Sequence, residues 1–150
     1  MMKRKGQMVL ILACAFMAPG LSGAAQAQAL FDPSATVVLS EPERQFEAIN
    51  PMIEMAPAWG DRGQGAHGTF GRFQPNFQTP FHTHTGAYHG IVLSGTMTNP
   101  FAGEDNPPTM TAGSYWYVPA EAVHATACVS DTPCTFYFHA GAAFDFTPVE

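Results

Sequence analysis

Three histidines, His82, His84 and His124, are the residues of this chain best suited to chemistry. Side chains alternate between the two faces of a β-strand, so His82 and His84 would project from one side, with Cα atoms roughly 7 Å apart. Two such imidazoles can converge on one ion. A third imidazole from a distant strand would complete a metal site that keeps open coordination positions. Such a site can act on a bound molecule, which a closed structural site cannot.

Tyr88 and His89 follow the first histidine pair and compete for a place beside it. On a regular strand Tyr88, Gly90 and Val92 would share one face, and His89 would lie on the other. Either side chain is able to complete the site or to exchange a proton there. The sequence leaves the choice between them open.

Two further histidines, His67 and His139, lie in predicted strands. We interpret them as core or solvent-facing residues; the alternative is that they support the metal ligands or carry protons. Six phenylalanines are interpreted as core: Phe70, Phe73, Phe136, Phe138, Phe144 and Phe146.

The pattern around these residues is typical of β-structure. From Pro51 onward, short apolar and aromatic runs are separated by Gly, Pro, Asn and Asp. No window of helical length shows a 3.6-residue period, so an all-β sandwich or barrel is predicted. One strand is predicted before this region, at Ala35 to Leu39. The others are predicted at Met52 to Ala56, His67 to Phe73, Phe81 to Thr85, Tyr88 to Ser94, Thr96 to Asn99, Gly113 to Val118, Ala122 to Cys128 and Thr135 to His139.

The histidine segments resemble the two motifs of the cupin superfamily. The first motif has the form G-x5-H-x-H-x3 or 4-E-x6-G, and the second has the form G-x5-P-x-G-x2-H-x3-N. The matching residues are His82, His84 and Gly95 in the first and Gly113, Pro119 and His124 in the second. Agreement with both spacings is far more specific than H-x-H alone. The resemblance implies a cupin double-stranded β-helix, a jelly-roll-like barrel.

The resemblance also implies that His82, His84 and His124 bind a divalent transition metal: Fe, Ni, Zn, Cu or Mn, with Fe(II) favoured. The usual glutamate is absent, because its position falls on Tyr88 or, with the longer spacer, on His89. Neutral imidazoles leave the charge of the ion uncompensated, which favours a small organic anion as ligand. Three-histidine cupins include iron dioxygenases, so the resemblance points to a dioxygenase-type oxidoreductase. The alternatives are a non-catalytic cupin that binds a small molecule or a metal, and a metal-dependent lyase or isomerase.

The chain begins with a predicted secretory signal peptide over residues 1–29. Three basic residues precede an apolar run over 8–17, and small residues follow it up to Ala29. The run is shorter than the ~20 residues that span a bilayer, so we expect cleavage near Ala29 and no membrane partner afterwards. A lipoprotein anchored through Cys14 is the alternative. We expect a single cupin domain over 30–150, located in the periplasm or secreted.

The predicted mature chain is acidic and has two cysteines. Three arginines face twelve carboxylates, and such a surface repels phosphate backbones, so nucleic acid is not expected as a partner. Cys128 and Cys134 flank a turn-rich segment. In an oxidising compartment we expect them to form a disulfide, with two free thiols as the alternative. Cupins often pair through sheet edges, so the resemblance also allows a homodimer.

Overall fold

The computed structural model describes residues 36–149, which form ten β-strands and one 3₁₀ turn, Glu41–Glu43. The all-β class predicted from the sequence is confirmed. Within this part of the chain, no helix has the length and apolar character that a membrane crossing requires. The strands are β1 (Glu47–Asn50), β2 (Ile53–Gly60), β3 (His67–Phe73), β4 (His82–Thr83), β5 (Tyr88–Ser94), β6 (Met97–Thr98), β7 (Tyr115–Val118), β8 (Ala127–Cys128), β9 (Cys134–Ala140) and β10 (Thr147–Pro148).

Six strands form the larger sheet, in the order β1-β2-β3-β9-β5-β7, and each neighbouring pair is antiparallel. Alternation of side chains decides which face is buried. In β5 the side of Tyr88, Gly90 and Val92 is buried, whereas His89 and Ile91 are exposed. The larger sheet therefore has an inner, apolar face and an outer, partly solvated one.

Shorter strands form the second layer, in which β4 pairs with β10 and β6 with β8. Isolated antiparallel bridges connect these two pairs, between Gln78 and Ala127 and from His124 to both His82 and Phe101. The two layers enclose one core. Its largest members are Phe73, Tyr88, Met97, Met110, Trp116, Phe136 and Phe138.

A disulfide between Cys128 in β8 and Cys134 in β9 joins the two layers, as the cysteine spacing predicts. Gly95, which closes the first motif, lies against this bridge. Its φ is +79°, and a Cβ at this position would lie 2.7 Å from Cys134 Sγ. Both the backbone conformation and the contact require a residue without a side chain, which explains the glycine.

The predicted strands agree with the structure best in the centre of the sheet. The bounds predicted for β3 and β5 are those observed. The strand predicted at Ala35 to Leu39 is wrong over 36–39, where the backbone forms no strand and Val38 is 84% exposed. The strand predicted at Ala122 to Cys128 is regular only in β8, and β1 and β10 were not predicted. The predicted signal peptide and its cleavage site lie outside the described residues.

Candidate metal centre

The three motif histidines meet at one end of the space between the layers. His82 lies in β4 and His84 two residues later, so both point inward, and both are 3% exposed. His124 is fully buried and is bridged to His82 by two backbone hydrogen bonds, of 2.9 and 3.0 Å. One ligand nitrogen from each imidazole lies within 4.8 Å of the other two. The structure thus brings together the three residues that the sequence nominates.

Backbone carbonyls hold all three imidazoles in one tautomer. The Nδ1–H of His82 donates to the carbonyl of Pro80 at 2.8 Å, and that of His124 donates to the carbonyl of Ala122 at 2.9 Å. The Nδ1–H of His84 donates to a more distant carbonyl, that of residue 145. Because carbonyl oxygens only accept, each Nδ1 carries the proton and each Nε2 presents a lone pair.

The lone pairs of His82 and His84 face each other without a proton between them. Burial lowers the pKa of both His82 and His84 to about 4, and it also lowers the pKa of His124, so the three rings are neutral at pH 7. The Nε2 atoms of His82 and His84 are nevertheless 3.1 Å apart. Two acceptors at that distance repel unless a cation lies between them. The spacing fits two nitrogens at about 2.1 Å from a shared ion, close to a right angle apart. The donor set therefore fits a divalent transition metal.

Tyr88 lies beside these nitrogens. Its side chain is 4% exposed, and its hydroxyl is 3.1 Å from His124 Nε2. Burial raises the pKa of this phenol to about 12, so it remains protonated and donates its hydrogen bond. The cupin motif that the sequence resembles has a carboxylate at this position, whereas here a neutral proton donor replaces it.

His89 lies on the outer face of the larger sheet, away from the three histidines. It is exposed, and its Nδ1 is 2.6 Å from the hydroxyl of Tyr115. The pairing of β5 with β7 and β9 is regular from Tyr88 to Val92. Faces therefore alternate without a bulge, and only one of two neighbouring residues can face inward. The structure brings Tyr88 to the site and leaves His89 outside it.

The C-terminal segment 144–149, which we call the C-terminal strap, supplies contacts that the sequence analysis missed. Phe144 stacks on His84 with ring centres 4.0 Å apart, and Phe146 stacks on His82 at 4.2 Å. The main-chain carbonyl of Asp145 is the acceptor for His84 Nδ1. The sequence does not predict this acceptor, because every residue type carries a backbone carbonyl. The interpretation of Phe146 as a core residue is wrong, because its side chain is 47% exposed.

The carboxylate of Asp145 fastens this strap to the end of β4. It accepts hydrogen bonds from the backbone N–H of Thr85 at 2.9 Å and from the Thr85 hydroxyl at 2.5 Å. Within the strap, β10 pairs with β4. The strap is thereby held against the two histidines that it covers.

A small cavity of about 80 Å³ opens beside His82, His84 and Tyr88. Thr79 and Thr126 add hydroxyls, and none of the described residues that line the cavity carries a carboxylate. The cavity suits a small ligand with an apolar body and one polar end that faces the histidines. The rest of the wall is apolar: Ile53, Met55, Phe73, Trp116, Phe136 and Phe138.

A family model described as "Domain of unknown function (DUF4437)" matches residues 37–150. The chain belongs to this family. No curated protein sequence matches this DUF4437 chain.

Several solved structures share the fold of the DUF4437 chain. The polyketide cyclase RemF from Streptomyces resistomycificus is 16% identical, with a TM-score of 0.66 over 77% of this chain and 87% of that one. A protein of unknown function with a cupin-like fold from Ralstonia eutropha is 20% identical, with a TM-score of 0.61 over 75% and 76%. An RmlC-like cupin from Shewanella frigidimarina is 16% identical, with a TM-score of 0.58 over 69% and 88%. The predicted cupin fold is confirmed. This DUF4437 chain has a cupin fold, and its three buried histidines are able to hold a metal ion.

Proposed function

We propose that the chain is a metal-dependent cupin oxidoreductase of the dioxygenase type that acts on a small organic anion. One observation carries the proposal: three neutral Nε2 atoms converge beside a small apolar cavity, and the Tyr88 hydroxyl lies against one of them. The proposed ligands are His82, His84 and His124. When bound there, a divalent ion would supply Lewis acidity and, in the case of the favoured Fe(II), electrons for dioxygen.

The substrate class follows from the charge and lining of the cavity. The imidazoles are neutral and the described lining contains no carboxylate, so the positive charge of an ion would be balanced best by an anionic ligand. The wall is mainly apolar and aromatic, which suits a planar or hydrocarbon body. Enolizable diketones and phenols combine such a body with one ionisable oxygen.

Tyr88 is the residue we assign to proton handling. Its hydroxyl lies beside His124 Nε2, and its pKa of about 12 keeps the proton on the oxygen at neutral pH. It can therefore donate a hydrogen bond to an anionic oxygen of the substrate. Phe144 and Phe146 cover two of the imidazoles and limit the access of water.

The test is oxygen uptake by Fe(II)-loaded protein with a panel of diketones, phenols and thiols. We expect uptake with at least one class, and its loss in the double variant His82→Ala/His84→Ala. Tyr88→Phe should lower turnover by roughly 10²–10⁴-fold if the hydroxyl transfers a proton. Tyr117→Phe, which removes a hydroxyl from the outer face, is the matched control. No uptake above that of free Fe(II) with any substrate would contradict the dioxygenase proposal.

A second candidate is a lyase or isomerase that uses Lewis acidity without redox chemistry. The protonated Tyr88 hydroxyl favours it, because such reactions need a proton donor next to the bound anion. Loading with redox-inert Zn(II) separates the two: a lyase or isomerase keeps its activity, whereas a dioxygenase loses it. Saturable binding of the anion without turnover in either form would identify a binding protein instead.

We further propose that the mature protein is exported and acts on a small molecule in the periplasm or outside the cell. The Cys128–Cys134 disulfide is compatible with an oxidising compartment. N-terminal sequencing of the exported protein should give a sequence that begins near residue 30.

We also propose that the protein forms a homodimer. Light scattering that gives a monomer mass would contradict this proposal.

A further inference from the structure

The outer face of the larger sheet carries a row of ring side chains that the proposed function does not use. Trp59, Gly68, His139, His89 and Tyr117 are successive cross-strand partners on β2, β3, β9, β5 and β7. Antiparallel partners directly opposite each other place their Cβ atoms about 4.5–5.5 Å apart. The register therefore sets two histidines side by side in the middle of the row.

These two imidazoles lie at about the largest spacing at which two rings can share an ion. The ring centres of His89 and His139 are 6.2 Å apart. A metal–nitrogen bond of about 2.0–2.1 Å places the centre of a coordinated imidazole roughly 3 Å from the ion, so two rings on one ion are at most about 6 Å apart. The observed spacing is at this limit. A small rotation of the exposed His89 side chain would bring it within range.

We propose that His89 and His139 form a second metal site, on the outer face of the sheet, for a divalent transition cation of the Zn(II) or Cu(II) type. Imidazole is a preferred ligand of both ions. The site is independent of the proposed function, because strand alternation puts His89 and Tyr88 on opposite faces. Its remaining coordination positions would be taken by water.

The residues around His89 and His139 favour metal binding by this pair. The Nδ1 of His89 is 2.6 Å from the Tyr115 hydroxyl; when Nδ1–H donates to that oxygen, Nε2 presents its lone pair outward, as in many metal-ligating histidines. On the other side, Trp59 lies 5.6 Å from His139 between ring centres. Gly68 makes room for this, since a Cβ there would lie 2.2 Å from Trp59 Nε1.

The experiment is a Zn(II) titration of the untagged full chain, followed through the imidazole ¹H–¹⁵N signals. We expect a second equivalent of Zn(II) per chain that shifts the signals of His89 and His139 together. His89→Asn and His139→Asn should each weaken the binding of this second equivalent by at least tenfold, and the signal of the remaining outer histidine should no longer shift at the wild-type Zn(II) concentration. Tyr115→Phe should weaken it by about 10–100-fold. Tyr117→Phe keeps both imidazoles and should bind as the wild type does.

Two results would overturn the proposal. One is a wild-type titration in which the signals of His89 and His139 do not move. The other is a single variant in which the signal of the remaining outer histidine still shifts at the wild-type Zn(II) concentration, because that histidine would then bind the ion without its partner. Repeating the titration in His82→Ala/His84→Ala separates the sites: the outer signals should still shift even though the inner site is removed.

Discussion

Replacing His67 with asparagine is expected to reduce the loss of folding stability in acid. His67 is fully buried, its Nδ1 is 2.9 Å from Thr69 Oγ1, and its ring packs edge-on against Phe138 and Phe144. Its Nε2 has no hydrogen-bond partner among the described residues. A proton added to this ring would therefore be poorly solvated.

Burial is the main reason that the pKa of His67 is lowered, to about 4. Arg62 and His139 lower it further, and Asp61 partly opposes them. The unfolded chain takes up this proton near pH 6.5, whereas the folded chain does so only near pH 4. The contribution of His67 to folding stability is thus fully present above pH 6.5, and it is lost as the pH decreases towards 4. The difference between the two pKa values corresponds to a loss of at most about 3 kcal/mol in the free energy of unfolding. We expect about 2 kcal/mol after partial solvent screening.

The assay is urea unfolding at pH 7 and pH 4 in the presence of a chelator. Between these two pH values, the free energy of unfolding of the wild type should fall by about 2 kcal/mol more than that of His67→Asn. The control is His89→Asn, which removes an exposed imidazole and should behave as the wild type. Equal losses in the wild type and His67→Asn would refute the reasoning. If His67→Asn does not fold, an NMR titration of His67 in the wild type gives its pKa directly, and a value near 6.5 would refute it equally.

Two other predictions concern contacts around the metal centre. Asp145→Ala releases the strap that holds the carbonyl acceptor of His84. This variant should bind the metal about 10–100-fold more weakly in a competition assay with a chelator. An unchanged metal affinity would show that the strap does not orient His84. Gly90→Ala places a Cβ 2.1 Å from the Trp116 ring and should lower the free energy of unfolding by roughly 1–3 kcal/mol. Gly141→Ala, where a Cβ meets nothing within 4 Å, is its control, and equal stability of the two variants would contradict the packing argument.

The fold and the three histidines could be predicted because their signals are local. β3 and β5 have apolar alternation with clear ends, so their bounds follow from the sequence. The spacing of His82, His84 and His124 could be compared with a known pair of motifs. The apolar residues after Ala35, by contrast, indicate a strand only when a neighbouring strand is available, and 36–39 pair with none among the described residues.

Other parts of the site depend on tertiary structure. Whether Tyr88 or His89 faces inward depends on whether β5 contains a bulge, and a bulge leaves no clear mark in sequence. Phe144 and Phe146 have the composition of core residues, but the chain turn after β9 brings them onto the histidines. The carbonyl acceptor at Asp145 is a backbone atom, which any residue type could supply. The outer histidine pair required the register of β5 and β9, which the sequence does not give.

The central claim is that the Nε2 atoms of His82, His84 and His124 hold one metal ion. Elemental analysis of the protein after dialysis against a weak chelator tests it most directly. The claim predicts one tightly bound transition-metal ion per chain in the wild type and in His89→Asn, and almost none in His84→Ala. A metal-free wild type after reconstitution with Fe(II) or Zn(II), or a His84→Ala protein that retains a full equivalent, would contradict it.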